Sequence, residues 1–157
     1  MRLDGLSFMV VAPATTTSQL RTELDMHPNA ELIQAGFTAF ASGDLETIDR
    51  LLADDIVWHS AGTSVLAGEF DGKQAVVELF GRVLDVTGGT FRQDVHAILA
   101  DDDHVVALVT VRWDQPVAFI GEEVFVWHVR DGQGAECWAV PVDQAAAHAA
   151  LPDGSDT

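Results

Sequence analysis

The stretch Phe91-Arg92-Gln93-Asp94-Val95-His96-Ala97-Ile98-Leu99, then Asp101-Asp102-Asp103, then Val105-Val106-Ala107-Leu108-Val109-Thr110-Val111-Arg112-Trp113 decides the fold class. Its apolar residues alternate with polar ones or run together between polar breaks, the pattern of strands rather than helices. Phe91–Leu99 is a predicted strand, the three aspartates form its turn, and Val105–Trp113 is its antiparallel neighbour. Beyond a loop containing Pro116, a third strand is expected over Glu122–Arg130 and a hairpin turn at Asp131-Gly132-Gln133-Gly134. A fourth strand is expected over Ala135–Val142.

Upstream the period is helical. Leu32, Ile33, Phe37 and Phe40 fall on one face of a helix capped by Asn29 and stopped by Gly43. Asp44 caps a second helix whose stripe is Leu45, Ile48, Leu51 and Leu52. Ile56-Val57-Trp58 is an apolar run read as a strand reaching Ser60. Asp71 begins a third helix with Gln74 at capping-box spacing, Val76, Leu79, Phe80 and Val83 on its apolar face, and Gly88-Gly89 at its end. Helices first and an antiparallel meander after give a single α+β domain. Its expected shape is a cone-shaped α+β barrel: three N-terminal helices packed in a curved antiparallel sheet, with a pocket at the open end suited to a small molecule.

Composition narrows the partners. Among 157 residues, 48% are hydrophobic, with 8 Phe, 4 Trp and no Tyr, enough to build a core. Eight Lys+Arg against 25 Asp+Glu give a formal charge of −17, which repels nucleic-acid phosphate and anionic lipid. One cysteine, Cys137, excludes an intrachain disulfide framework and a multi-cysteine metal site. Residues 6–14 have the apolar character of a signal-peptide core, but Arg2 is the sole preceding basic residue and Asp4 offsets it, so the chain reads as cytoplasmic. Residues 1–28 are expected to be a flexible extension, 29–145 the folded domain and 146–157 a C-terminal tail.

Three groups of residues then suggest a family. They are Ala39-Phe40-Ala41-Ser42-Gly43-Asp44-Leu45 with Leu51-Leu52-Ala53-Asp54-Asp55-Ile56-Val57-Trp58-His59; Leu66-Ala67-Gly68-Glu69-Phe70-Asp71-Gly72-Lys73; and Gly88-Gly89-Thr90-Phe91 with the run from Leu99 to Val109 and Val129-Arg130-Asp131-Gly132. In order and spacing they resemble the SnoaL-like branch of the nuclear-transport-factor-2-like superfamily. That resemblance implies the cone and its cavity, homodimerisation through the outer sheet face, and acid/base chemistry without a cofactor in the catalytic members. The superfamily includes polyketide cyclases, ketosteroid isomerases, limonene epoxide hydrolases and non-catalytic binders, so the fold alone does not select a reaction.

The resemblance also places residues. Where ketosteroid isomerases carry their two carboxyl groups, this chain has Ser60 and Val126, and it has no Tyr to donate to an oxyanion. Limonene epoxide hydrolases use an Arg-x-Asp step, matched by Arg112-Trp113-Asp114, but their second Asp is replaced here by Val140. Residues i and i+2 of a strand share a face, so Arg112 can orient Asp114. Asp114 is therefore the first choice as acid/base, and Asp114→Asn is expected to abolish turnover. A surface ion pair at a strand end is the competing reading.

His59 and His128 are further acid/base candidates, since histidine titrates near neutrality. Parity turns His59 outward if Trp58 and Ser60 face the cavity, unless a bulge before Gly62 reverses it. His128 shares parity with Val126, and His96 shares it with Arg92 and Asp94 on a polar face. Trp58, Ser60, Phe40, Phe37, Phe80, Phe91, Val126, Trp138 and Val140 are expected to line a substrate cavity, the aromatic ones equally suiting plain core. No pair of histidines has metal-ligand spacing, so no metal is expected, nor any cofactor. The expected partners are a small apolar oxygenated molecule and a second copy of the chain. The resemblance implies an enzyme of isomerisation, cyclisation, dehydration or epoxide opening; the alternatives are a limonene-epoxide-hydrolase-like epoxide hydrolase and a binding or dimerisation module without chemistry.

Overall fold

The computed structural model describes residues 26–156, so most of the segment expected as an N-terminal extension lies outside the described residues. The first helix, α1 (Pro28–Ser42), starts two residues earlier than the Asn29 cap would have it. His27 is the cap: its Nδ1 accepts from the Asn29 backbone N–H at 3.1 Å, and Pro28 takes the first helical position. The Asn29 side chain instead donates to the carbonyls of Asp101 and Asp102, both at 2.9 Å, tying α1 to the aspartate turn. Gly43 closes α1 in the left-handed region at φ 70°. Asp44 accepts from the Thr47 N–H and caps α2 (Leu45–Leu51), as its sequence position predicts.

Strand β1 (Leu52–Ser60) follows α2 without a loop, and β2 (Gly68–Asp71) returns antiparallel to it. Asp71 ends β2 opposite Val57, so it cannot cap α3 (Lys73–Val86); Gly72 holds that position and makes no side-chain cap bond. The meander is β3 (Arg92–Ala100), β4 (His104–Trp113), β5 (Phe119–Arg130) and β6 (Gln133–Pro141). Strand β5 begins three residues before its expected start at Glu122. Asp131 and Gly132, at φ 52° and 72°, form the tight turn into β6.

The sheet order is β2-β1-β6-β5-β4-β3. The β1–β6 pair is parallel and the other neighbours are antiparallel. The α+β class and the helices held in a curved sheet are as expected; the sheet is curved but unclosed, with β2 and β3 as free edges. Ile33 of α1, Ile48 of α2, and Val76 and Leu79 of α3 pack on Val105, Ala107, Val109, Val111 and Phe125 of the concave sheet face. Burial on that scale is the main source of the fold's stability.

A last helix, α4 (Gln144–Ala149), occupies the segment expected to lead into a tail. Ala147 and Ala150 are buried, and the chain beyond them pairs with the β1–β2 loop. Val65 N–H donates to the Pro152 carbonyl at 2.9 Å, Gly154 N–H donates to the Thr63 carbonyl at 3.0 Å, and Ser64 and Asp153 form an isolated bridge. Among the described residues no helix is long and apolar enough to cross a membrane.

Candidate active site

The concave face and the helices enclose a cavity of about 150 Å³. Its wall is an aromatic lattice. Trp58 meets Phe80, Trp127 and Phe125 edge-on at 5.1, 5.3 and 6.2 Å between ring centroids. Phe40 meets Phe80 and Phe91 in the same way at 5.4 and 6.0 Å, and Phe37 meets Phe125 at 5.3 Å. Trp113 stacks between Phe91 and Phe119. Such edge-to-face contacts fix ring positions beyond what area burial alone would do. Of the residues expected to line the cavity, Trp58, Ser60, Phe40, Phe37, Phe80 and Phe91 do lie on it.

Val126, Trp138 and Val140 do not. The register pairs Val126 with Trp138 and Val124 with Val140, which puts Phe125, Trp127, Cys137 and Ala139 on the inner face and these three on the outer. Both faces of β5 are apolar, so alternation of polarity could not choose between them. On β6 the inner residues are the smaller ones, which inverts the usual cue.

His59 and His128 share that outer face. His59 Nδ1 lies 3.1 Å from Glu69 Oε2, and its Nε2 lies 2.9 Å from Glu136 Oε1. His128 Nδ1 lies 3.1 Å from the second Glu136 oxygen. Trp138 stacks on the His59 ring at 4.9 Å, and His128 stands edge-on to Trp138 at 5.0 Å. His96 likewise lies outside, 2.8 Å from Glu122. Among the described residues no cluster of three or more histidine, cysteine or acidic side chains is placed to hold a metal ion.

Arg112 and Asp114 are both exposed. Arg112 reaches Asp94 of β3 at 3.8 Å rather than Asp114, whose backbone N–H donates to Thr90 Oγ1 at 2.9 Å. They do not line the cavity. The strand parity that puts Arg112 and Asp114 on one face is sound, but that face is the outer one, because Trp113 between them points inward.

The polar residues on the cavity wall are Ser60, Ser64, Gln93, Glu123 and His148. Glu123 is the only carboxylate among them, and no Lys or Arg lines the wall among the described residues. Burial in this apolar setting raises its carboxyl to about 7. Its carboxylate has no hydrogen-bond or ion-pair partner among the described residues. Sequence reading missed it because Glu122-Glu123 looked like the polar start of a strand; with β5 starting at Phe119, Glu123 lies well inside the strand and shares parity with Phe125 and Trp127. Cys137 is fully buried, and burial followed by the charge of Glu123 pushes its thiol well up, which suits a core residue and not a nucleophile. His148 of α4 closes one side, its Nε2 accepting from the Thr63 N–H at 3.4 Å. A β-carbon at Gly62 would lie 1.7 Å from that nitrogen, so only glycine admits the ring there.

The fold that builds this cavity is shared with known proteins. Residues 33–137 match the family model of the SnoaL-like domain. An uncharacterised protein of Mycobacterium tuberculosis is 31% identical over 83 residues, which span 52% of this chain and 63% of that protein, less than two thirds of the curated relative's length. Bal32a, from a soil-derived mobile gene cassette, superposes with a TM-score of 0.76 at 28% identity, covering 79% of this chain and 96% of that one. An LEH-like epoxide hydrolase of M. tuberculosis gives 0.63 at 22% identity over 79% and 89% of the two chains. A putative SnoaL-like polyketide cyclase from Jannaschia sp. CCS1 gives 0.68 at 14% identity over 79% and 91%. At those identities the last two show a shared fold alone. The chain belongs to the family of SnoaL-like domains.

Proposed function

We propose that this protein is a small-molecule enzyme in which Glu123 transfers a proton to or from an apolar oxygenated substrate bound in the cavity. The observation that carries the reading is the Glu123 carboxyl itself, raised to about 7 with no side chain to neutralise it. A carboxyl at that value is half protonated near neutrality, where general acid and general base catalysis are both most effective. Isomerisation, cyclisation, dehydration and epoxide opening all need one such group, and none of them needs a cofactor. Gln93, Ser60 and His148 supply polar contacts from other parts of the wall. The role expected for Asp114 passes to Glu123, because Asp114 lies exposed and away from the cavity. The test is a turnover screen of the purified chain and of Glu123→Gln against epoxides, enones and polyketide-like ketones. Turnover lost in the variant supports the reading; turnover by the variant at the parent rate overturns it. Ligand binding without turnover of any of them would leave a binding module.

We also infer a homodimer through the outer sheet face. The cross-strand rows Val106–Val126–Trp138 and Leu108–Val124–Val140 form an apolar patch. It is rimmed by His59, Glu136, His128, His96 and Glu122. An apolar centre with a polar rim is the anatomy of a protein interface. Ile120 and Val142, each 68% exposed, extend it. Sedimentation showing a monomer at micromolar concentration would overturn it. A cytoplasmic location goes with the same reading.

A further inference from the structure

Glycine weakens the interior of a strand, and β5 carries one at Gly121. It pairs with Val111 and is not among the glycines with positive φ, so space and not backbone conformation calls for it. Phe119 takes that space. A β-carbon at Gly121 would lie 2.5 Å from Cζ and 2.9 Å from Cε1 of the Phe119 ring, closer than real side chains approach. The tip of the ring therefore sits over the bare α-carbon. Phe119 lines the cavity and Gly121 does not, so the ring holds the glycine's place in the wall.

That place is beside Glu123. Residues two apart on a strand share a face and lie about 7 Å apart, so Glu123 follows Gly121 along the inner face of β5. Its other neighbours on the sheet are apolar: Val109 and Pro141 across the ladder, and Phe125 next along the strand. Residues 114–118, just before Phe119, are exposed, so this end of the wall borders water. Trp113 stacks on the Phe119 ring at 4.4 Å and on Phe91 at 6.1 Å, which holds the ring inward.

Few other groups act on Glu123. Cys137 of β6, fully buried, feels its charge, and His148 of α4 stands on the same cavity wall. Among the described residues no other element presents a titratable side chain to the cavity. Glu122 points the opposite way, to His96 and Thr110. The setting of Glu123 is thus governed by how well water is kept from it.

We propose that Phe119 is a positioning residue for the proton-transfer step: seated on Gly121, its ring closes the water-facing end of the wall and keeps solvent from Glu123. The inference rests on the reading of Glu123 as the proton-transferring group and names what maintains it.

The test is a carbon-13 titration of the side-chain carboxyls in the full chain. The Glu123 signal is assigned by its loss in Glu123→Gln, and the His148 ring is followed in the same samples. In Phe119→Ala the Glu123 midpoint is expected to fall by about one pH unit, a tenfold loss of proton affinity, as water enters the vacated end. Gly121→Ala pushes the ring off its seat and is expected to move the midpoint the same way. Phe119→Leu keeps an apolar cover and is expected to stay close to the parent. In the unaltered protein the Phe119 ring protons are expected to show Overhauser contacts to Gly121 and Glu123, and water none to Glu123. A midpoint that stays at the parent value in Phe119→Ala or Gly121→Ala overturns the proposal. So does Phe119→Leu falling as far as Phe119→Ala, the mark of a general loosening of the wall. A contact from water to Glu123 in the unaltered protein also overturns it, and that measurement needs no variant to fold. The titration reads the carboxyl without turnover, so the two readings fail separately. Glu123→Gln turning over at the parent rate fails the catalytic reading and leaves this inference standing; a midpoint unmoved in Phe119→Ala fails this inference alone.

Discussion

On the outer face of the sheet, Glu136 lies within hydrogen-bond reach of two histidines; on the inner face, Glu123 has no partner among the described residues. The outer group extends across the strands from Glu69 through His59, Glu136 and His128, with His104 edge-on to His128 and Asp101 beside it. It is rich in groups that could carry protons, yet each is exposed or half-exposed and already engaged. The inner face has a single carboxyl among rings. Water and counter-charges hold a carboxylate in its ordinary range, and their removal moves Glu123 to about 7. The difference is one of environment: the proposed site rests on one lone acid in an apolar wall rather than on a gathering of histidines.

The largest expected effect separates the two faces by activity. Glu123→Gln keeps the shape of the side chain and removes its proton. Turnover should fall on the order of 10³-fold, within the range for a lost general acid or base. Asp114→Asn, outside the cavity, should leave turnover unchanged. The parent's kcat/KM should show a limb near pH 7 that the variant lacks. Equal rates in parent and Glu123→Gln would break the distinction between the faces.

The second effect is on stability. Glu123 holds its proton more tightly folded, at about 7, than unfolded, near the ordinary 4.5. Its contribution is fully present below about pH 4.5 and is lost as pH rises through about 7, with the unfolding free energy falling in that window. Two and a half pK steps amount to about 3 kcal/mol. Denaturant titrations at pH 4.5 and pH 8 should show that difference between the parent and Glu123→Gln, whose amide does not titrate. Parallel pH dependence in the two would mean that the cavity is wetter than its wall suggests.

The fold was largely legible because its signals are local. Gly43 and Asp44 stop one helix and start the next with their own backbone and side chain, and Asp131-Gly132 turns the last hairpin. Trp58 and Ser60 lie on the cavity where the family resemblance puts them, with His59 between them turned outward. The site was less legible because it depends on register. Val126, Trp138 and Val140 lie on strands whose two faces are equally apolar, where nothing local sets the parity. Glu123 reads as a strand edge when β5 is started at Glu122, whereas the strand begins three residues earlier and holds it in its interior. The role of 144–156 is hidden for another reason: apart from the His148 ring, its hold on the β1–β2 loop is made by backbone groups, which any sequence supplies.

That hold gives the third prediction. Gly62 has φ 119°, and a β-carbon there would collide with the His148 ring. Gly62→Ala should displace His148 from the cavity edge, break its contact with Thr63, and cost about 2 kcal/mol through strain and lost packing. Thermal unfolding measures the cost, and proton exchange at residues 144–156 should rise with it. An unchanged melting temperature would show that α4 does not depend on this contact.

The smallest effect is expected where the ionisable groups are densest. Glu136→Gln removes the charge from the carboxylate that serves both His59 and His128, on a side chain 31% exposed. Partly exposed ion pairs are screened by water and salt, so the loss should be below about 1 kcal/mol and should shrink further in 0.5 M salt. Turnover should be unchanged, since Trp138 and Ala139 separate Glu136 from the cavity by strand parity as well as by distance along β6. The same variant probes the proposed homodimer: Glu136 belongs to the polar rim of the apolar patch, and rim charges act on association rate and salt dependence more than on the buried centre. A dimer whose dissociation constant shifts with salt in the parent, and less so in Glu136→Gln, places this carboxylate at the interface. A loss of turnover instead would mean that the two faces are coupled through β6, and that the isolation of Glu123 is maintained in part from outside the cavity.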